Sequence, residues 1–178
     1  YIRKTLGPLP PGVATLFDDD RSFAELLNQG TGTARIDAAA PFAGQVSLAI
    51  TPPQRFSDRI PGWEYPIREN PQAGEFRYLR FAWKSRGGAG PMLELAADGR
   101  WPSAEQTLRR YYSGHNTTDW QAVQVSSEPP DDWVLVTRDL WRDCGPFTLT
   151  GLAPTAMGGE VWFDSVELFR SKADLERR

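Results

Sequence analysis

The sequence predicts an all-β fold, a two-sheet antiparallel β-sandwich with at most one or two short helices, for which a jelly roll is the favoured topology. Glycine and proline are frequent, at 16 and 15 of 178 residues, which favours turns and short strands over long helices. Turn signals such as Pro52-Pro53 and Gly158 with Gly159 separate short apolar segments. Residues 77–85 alternate apolar with basic side chains, as a strand with one buried face does.

Along the chain, a stretch rich in proline and glycine comes first, and we interpret residues 1–15 as an extended lead-in. Ser22 and Glu25 have the spacing of a capping box, which predicts one short helix there. Nine strand candidates follow at intervals typical of a β-sandwich: 34–37, 45–51, 75–85, 92–97, 108–112, 121–126, 133–139, 147–153 and 160–170. Residues 16–170 are therefore expected to form a single module. The charged tail 171–178 is expected to start a helix and to lead into a next segment.

The stretch 159–169 is expected to be the strand that closes the domain. Its apolar residues occur on both parities, which is typical of a strand covered on both faces. Asp164 lies in the middle of it, and a buried carboxylate is costly unless a cation or several donors satisfy it. An acidic run that includes Asp18 and Asp19 lies near the other end of the chain. If the first and last strands are neighbours, these carboxylates could share a cation; satisfaction by backbone N–H groups is the alternative.

Composition limits the other classes of function. The net charge is −3 with scattered basic residues, so no nucleic-acid footprint is evident. The sequence contains no apolar run long enough to span a bilayer. Cys144 is the single cysteine, which excludes an intrachain disulfide and a cysteine zinc cluster. We expect Cys144 to be a small buried hydrophobe rather than a catalytic thiol.

The aromatic residues carry the main functional prediction. Of the seven tryptophans, Trp83, Trp133 and Trp162 lie within strand patterns and are expected to pack in the core. The segment 60–70 combines aromatic and polar residues, and such rings can stack on the C–H faces of sugars while polar neighbours bond hydroxyl groups. The candidate ligand-binding residues are Trp63, Tyr65, Arg68, Asn70, Trp101 and Tyr112. The alternative for each ring is that it pins its loop to the core.

A second constellation is compatible with catalysis. Arg109, Tyr111, Tyr112 and the single histidine, His115, lie close together in sequence. In a lyase acting on an acidic polysaccharide, arginine neutralises the carboxylate while tyrosine or histidine moves the proton. The alternative is a turn after a strand, and we favour it. No spacing typical of paired catalytic carboxylates or of a nucleophile elbow is present.

The segment 162–168, Trp-Phe-Asp-Ser-Val-Glu-Leu, resembles the last strand of galactose-binding-like jelly-roll modules, which are often carbohydrate-binding. This resemblance implies a structural calcium held between Asp164 and an acidic turn near the N-terminus, here Asp18 and Asp19. The family usually has glycine after that acidic pair, whereas this chain has Asp20.

Residues 77–84 are also similar to modules carried beside c-type cytochrome domains in large secreted bacterial proteins. The chain begins with Tyr1 rather than Met, and we expect it to be part of a longer, extracytoplasmic protein that is periplasmic, on the cell surface or secreted. The sequence favours a non-catalytic carbohydrate-binding module that binds a polysaccharide or oligosaccharide through loop aromatics. The alternatives are the polysaccharide lyase and a structural module that docks another domain of its parent chain.

Overall fold

The computed structural model describes residues 12–28, 33–54 and 56–177, and within them the chain forms a two-layer β-sandwich. The strands are β1 (Val13–Phe17), β2 (Arg35–Asp37), β3 (Ser47–Ile50), β4 (Tyr65–Ile67), β5 (Tyr78–Arg86), β6 (Pro91–Ala97), β7 (Arg110–Ser113), β8 (Val123–Ser126), β9 (Val134–Asp139), β10 (Phe147–Ala156) and β11 (Glu160–Phe169). The helices in the same ranges are α1 (Phe23–Asn28), α2 (Leu140–Cys144) and α3 (Lys172–Glu176). The predicted all-β class is confirmed, with three short helices instead of one or two. None of these described helices is long and apolar enough to cross a lipid bilayer.

The strands form two sheets. Sheet I has the order β2-β3-β11-β5-β9, and β1 pairs with the second half of β11. Sheet II has the order β4-β10-β6-β7-β8. The pairs are antiparallel except β7 with β8, which run parallel and so depart from the expected arrangement. Residues 114–122 lead from β7 to β8, and a parallel pair needs such a crossing connection because a tight hairpin cannot make it.

The core lies between the sheets and is built by alternation along each strand. Leu79, Phe81 and Trp83 of β5 are at most 1% exposed and face sheet II, as the alternation of residues 77–85 predicts. The Trp83 ring meets Phe81 and Phe163 edge-on, with centroids 4.9 and 6.0 Å away. Leu93 of β6 belongs to the same cluster from the opposite sheet. This packing fixes which face of each strand is left for binding.

A bulge in β11 explains why its apolar residues occur on both parities. The register of β11 against β5 shifts between Asp164 and Glu167, and Ser165 has a φ of 51°. Val161 and Phe163 face the core before the bulge, whereas Val166 and Leu168 face it afterwards. The strand is also covered on its other face, since Trp162 and Phe169 are 6% and 0% exposed. Both the prediction of two-sided cover and the change in parity thus have structural reasons.

The first and last strands are neighbours, which is the condition under which the acidic groups can approach. β1 begins at Val13, inside the expected lead-in, and Val13 pairs with Phe169 of β11. Arg170 donates its backbone N–H to the carbonyl oxygen of Gly12, 2.8 Å away. Residues 12–15 therefore belong to the module, while the remainder of the expected lead-in, residues 1–11, lies outside the described residues.

The charged tail folds back on the same sheet. Ser171 caps α3 and, with Asp174, forms a capping box. Leu175 packs against the apolar cluster of Val13, Tyr78 and Phe169 on the outer face of sheet I. The expected helix after residue 170 is therefore present, and it packs against sheet I. That the tail leads into a next segment stays a prediction.

Candidate functional site

A groove of about 770 Å³ lies on the outer face of sheet II. Glu94 of β6 and Arg110 of β7 contribute to its floor and are register partners across the two strands. Ala153 of β10 pairs with Glu94 from the other side, and Thr155 lies two residues further along the same face. Since the alternate residues of these strands pack in the core, the floor is the face that the core leaves free. The remaining lining residues come from loops: Pro53, Gln54, Phe56, Trp101, Pro102 and Trp120.

The charged pair on the floor is buried. Arg110 Nε lies 3.3 Å from Glu94 Oε2, and the two side chains are 2% and 7% exposed. Burial raises the pKa of Glu94, and the charge of Arg110 opposes that rise. Arg110 also donates to the carbonyl oxygens of Ser103, at 2.7 Å, and Gln106, at 3.0 Å. Those two bonds come from Nη1 of Arg110, and its Nη2 donates to the carbonyl oxygen of Pro102. One buried arginine therefore holds the loop after β6 in place.

Two tryptophan rings border the groove. Trp120 is 39% exposed, and its ring centroid lies 5.2 Å from Arg110 Cζ, within the range of a cation–π contact. Trp101 is half-buried and comes from the loop that Arg110 holds. The site thus combines two flat apolar rings with a polar, preformed floor, which is the composition expected of a site for a small polar ligand.

The structure does not bring the six predicted ligand-binding residues together. Trp101 lines the groove, and Tyr112 lies on the same face of β7 as Arg110, paired with Met92 of β6 and Gln124 of β8. The other four, which are Trp63, Tyr65, Arg68 and Asn70, do not line it.

Trp63 and Tyr65 instead pack onto the core. The Trp63 ring stacks on Phe23 of α1, with centroids 5.9 Å apart and an angle of 19°, and meets Tyr65 edge-on at 5.7 Å. Tyr65 in turn meets Phe76 edge-on at 6.0 Å. Tyr65 is also the first residue of β4, a strand inside the segment expected to be a loop. This geometry corresponds to the pinning alternative, although a hollow of about 330 Å³ borders Trp63.

Arg68 and Asn70 serve local structure. Arg68 Nη1 donates to the carbonyl oxygens of Ile67, at 2.9 Å, and Phe147, at 3.4 Å. The carbonyl oxygen of Asn70 accepts from Gln72 Nε2 at 3.2 Å. The Arg68 contact with Phe147 ties the end of β4 to the start of β10, and the Asn70 contact stays within its own loop.

The groove also contains three residues that the sequence patterns did not indicate as binding residues: Glu94, Arg110 and Trp120. Glu94 is the one acidic residue in the apolar strand β6, and Arg110 opens a strand next to Tyr111. β6 and β7 are neighbouring buried strands, and each carries a charged residue. Charged residues are rare in buried strands, so this pattern was the available sign of a site. It was not sufficient, because the pairing of β6 with β7 cannot be read from one sequence.

The acidic groups at the start of the chain and in β11 were predicted to share a cation. Asp164 is fully buried, and its Oδ1 and Oδ2 accept the backbone N–H groups of Ser165, at 2.6 Å, and Ala43, at 3.1 Å. Burial raises the pKa of Asp164 to about 6; these N–H groups oppose the rise, and the nearby charge of Asp18 adds to it.

The carboxylates fit a calcium ion only in part. Asp19 Oδ1 accepts the N–H groups of Gln45, at 2.9 Å, and Val46, at 3.2 Å, so this side chain is held by backbone donors. In the three described ranges, no group of three or more His, Cys, Asp or Glu residues could hold a metal ion. Calcium prefers six to eight oxygen ligands, so backbone carbonyls would have to supplement Asp18 and Asp164.

The catalytic alternative around His115 requires its side chains to converge, and they do not. Tyr111 is fully buried and donates its hydroxyl to Asp143 Oδ2 at 2.8 Å; burial raises the pKa of this phenol far above its ordinary value. Arg109 precedes β7 and His115 follows it, so they flank opposite ends of a strand that is about 10 Å long. The structure therefore favours the turn alternative for this segment.

Comparisons with known proteins add structural neighbours of low similarity. No protein-family model matches the sequence, and no curated protein sequence matches it. The xylan-binding domain CBM22-1 of Xyn10C from Paenibacillus barcinonensis is similar with a TM-score of 0.34 and 14% identity, over 90% of this chain and 87% of that one. A family 30 carbohydrate-binding module of a cellulosomal cellulase from Clostridium thermocellum gives a TM-score of 0.43 and 13% identity, over 92% and 94%. The tandem CBM22-1–CBM22-2 domain of the Paenibacillus enzyme gives 0.39 and 14%, over 93% of this chain and 49% of that one.

Proposed function

We propose that this chain is a non-catalytic carbohydrate-binding module of a larger extracytoplasmic protein, and that it binds a glycan in the groove on the outer face of sheet II. The observation that supports the proposal most directly is the pair of accessible tryptophan rings, Trp101 and Trp120, above the buried Glu94–Arg110 pair. A glycan needs both kinds of group at once, because each sugar ring has an apolar C–H face and a rim of hydroxyl groups.

The tryptophans would supply most of the binding free energy. Indole rings bury a large apolar area, and binding energy concentrates in a few such residues at the centre of an interface. Trp120 is held against Arg110 through the cation–π contact, so its ring loses little freedom when a ligand arrives. A volume of about 770 Å³ lies within the range of about 300–1,000 Å³ that small-molecule sites occupy.

The polar floor of the groove would orient the bound sugar through hydrogen bonds. The carboxylate of Glu94 accepts hydrogen bonds from sugar hydroxyls, while Arg110 holds that carboxylate in place and neutralises its charge. Because Arg110 is itself fixed by the carbonyl oxygens of Ser103 and Gln106, the floor is formed before binding. A preformed site lowers the ordering cost of association.

The decisive experiment removes each ring separately. Trp120→Ala and Trp101→Ala should each weaken glycan binding at least tenfold in calorimetry or affinity electrophoresis, since removal of a central aromatic anchor usually costs about 2 kcal/mol or more. Trp133→Ala, on the outer face of sheet I, is the matched control and should bind like the parent chain. Unchanged binding by both groove variants, or an absence of binding to every glycan on an array, would refute the proposal.

We also propose that calcium occupies the space between Asp18 and Asp164 as a structural ion. The raised pKa of Asp164 supports this, because a nearby cation would stabilise the charge that burial and Asp18 disfavour. The ion would join β1 to β11 and would not take part in binding the glycan. Unfolding of the protein over a series of pH values, with calcium and with a chelator, tests this proposal.

A further inference from the structure

A second hollow borders Trp101, so this ring is shared between it and the groove. The second hollow measures about 550 Å³. Two arginines, Arg100 and Arg109, line it together with Gln106 and Phe147, and Asp98 is the acid at its border. Its chemistry therefore differs from that of the groove, where the arginine already has a carboxylate partner.

Among the described residues, Arg100 and Arg109 have no acidic partner of their own. Several guanidinium groups of this chain pair with carboxylates, and these belong to Arg35, Arg77, Arg80, Arg110, Arg138 and Arg177. Within residues 12–28, 33–54 and 56–177, no such ion pair forms at Arg100 or Arg109. The hollow thus has two cations for one anion, which leaves it net positive.

Arg109 is held in an unusual position. Its backbone φ is +68°, a conformation that residues other than glycine rarely adopt. Its Nη2 donates to Gln106 Oε1 at 3.3 Å. Its Nε is buried and has no hydrogen-bond partner among the described residues. Arg109 Cζ lies 5.8 Å from the centroid of the Phe147 ring. A strained backbone and a buried donor without a partner both disfavour this arrangement unless something else uses the guanidinium.

We propose that the second hollow is the subsite for the carboxylate of an acidic sugar, so that the ligand is a uronic-acid-containing glycan whose neighbouring rings lie in the groove. A planar guanidinium presents paired N–H donors that match a carboxylate, and two of them recognise one such group selectively. Trp101 stands between the two kinds of subsite by lining both. This inference rests on the proposed function, since it assumes that the groove binds a glycan.

The experiment compares each acidic polymer with its own carboxyl-reduced form, in which the carboxylate becomes a primary alcohol and the backbone is unchanged. The probes are polygalacturonate, alginate and a glucuronate-substituted xylan, measured by affinity electrophoresis and calorimetry with the intact chain. We expect at least one acidic polymer to bind about three- to tenfold tighter than its reduced form at low salt, as expected for charge-assisted hydrogen bonds near the surface. That preference should shrink at 0.5 M salt, where the Debye length falls to roughly 4 Å.

Substitutions of the two arginines test whether the second hollow causes the preference for the acidic polymer. Arg100→Gln and Arg109→Gln should each lower the ratio of the affinity for the acidic polymer to the affinity for its reduced form. Arg86→Gln, at the exposed end of a sheet I strand, should leave this affinity ratio unchanged. Arg100 is exposed, so Arg100→Gln tests the inference even if Arg109→Gln fails to fold. Equal binding of acidic and reduced polymers, or a preference that both variants retain, would overturn the acidic subsite and leave the proposed function standing. Binding of no polymer in either form would overturn both.

Discussion

Replacement of Asp164 by asparagine should change how the stability of the protein depends on pH. Asp164 is fully buried in β11, and burial raises its pKa to about 6, from an ordinary value of 3.8. The backbone N–H groups of Ala43 and Ser165 limit the rise, and the charge of Asp18 adds to it. In Asp164→Asn this titration is absent, so the difference between parent and variant isolates the contribution of one carboxyl.

The direction and the size of this pH dependence follow from the linkage between proton binding and folding. Because the folded-state pKa lies above the unfolded one, the folded chain binds more protons between pH 4 and 6 than the unfolded chain, and stability falls as the pH rises through this window. One pKa unit corresponds to 1.36 kcal/mol, so a rise from 3.8 to about 6 corresponds to about 3 kcal/mol. The free energy of unfolding of the parent, relative to Asp164→Asn, should therefore decrease by about 2–2.5 kcal/mol from pH 4 to pH 7, because the rest of the effect lies below pH 4.

Urea unfolding of both proteins at half-unit steps of pH, in the presence of a chelator, measures this difference. Asp37→Asn is the control with the opposite sign: burial raises the pKa of Asp37, but the Ala39 N–H, the Trp162 indole and nearby cations outweigh that effect and lower it. A relative stability that is flat or rises with pH in the chelator would refute the reasoning for Asp164. Repeating the series with calcium tests the proposed ion, which should lower the pKa of Asp164 and abolish the decrease. Identical curves with calcium and with chelator would refute the calcium proposal.

Contacts of Trp63, Cys144 and Glu94 can be tested by substitution or by chemical labelling. Trp63→Ala should lower the free energy of unfolding by about 2–4 kcal/mol, because its ring stacks on Phe23, and should leave glycan binding as it is; loss of binding at unchanged stability in urea melts would contradict this. Cys144 should resist thiol reagents in the native protein at neutral pH, since burial raises its pKa, and rapid labelling in a colorimetric assay would show the opposite. Glu94→Ala should destabilise the fold by about 3 kcal/mol in the same melts, because Arg110 is left charged and buried; a change below about 1 kcal/mol would mean that the carbonyl oxygens suffice for that arginine.

Local patterns predicted those parts of the fold that depend on one strand at a time. The alternation in residues 77–85 identified β5 and its core face, where Leu79 and Phe81 are fully buried. Each of the nine expected strand segments overlaps a strand in the structure. β1 was missed because proline and glycine precede it, and β4 because its three residues lie in a segment whose composition is typical of a loop.

Properties that depend on pairing between distant segments could not be predicted in this way. The groove requires β6, β7 and β10 to lie side by side, and nothing within any of the three strands specifies its neighbours. Trp133 is a second example. It lies within a strand pattern and was therefore expected to pack in the core. The structure places its ring 4.9 Å from Lys84 Nζ on the outer face of sheet I, and Trp162 covers the same ammonium from 5.0 Å.

The pairing of β1 with β11 also determines how the fold would respond to mechanical force. Gly12 and Arg170 are joined by a hydrogen bond at one end of this antiparallel pair, so the chain enters and leaves sheet I at the same point. A pull applied across these two positions would separate the strands one hydrogen bond after another, as a zipper opens, instead of shearing all of them at once. Stretching by an optical trap through residues 12 and 170 should therefore detach β1 at low force, before either sheet loses its other strands.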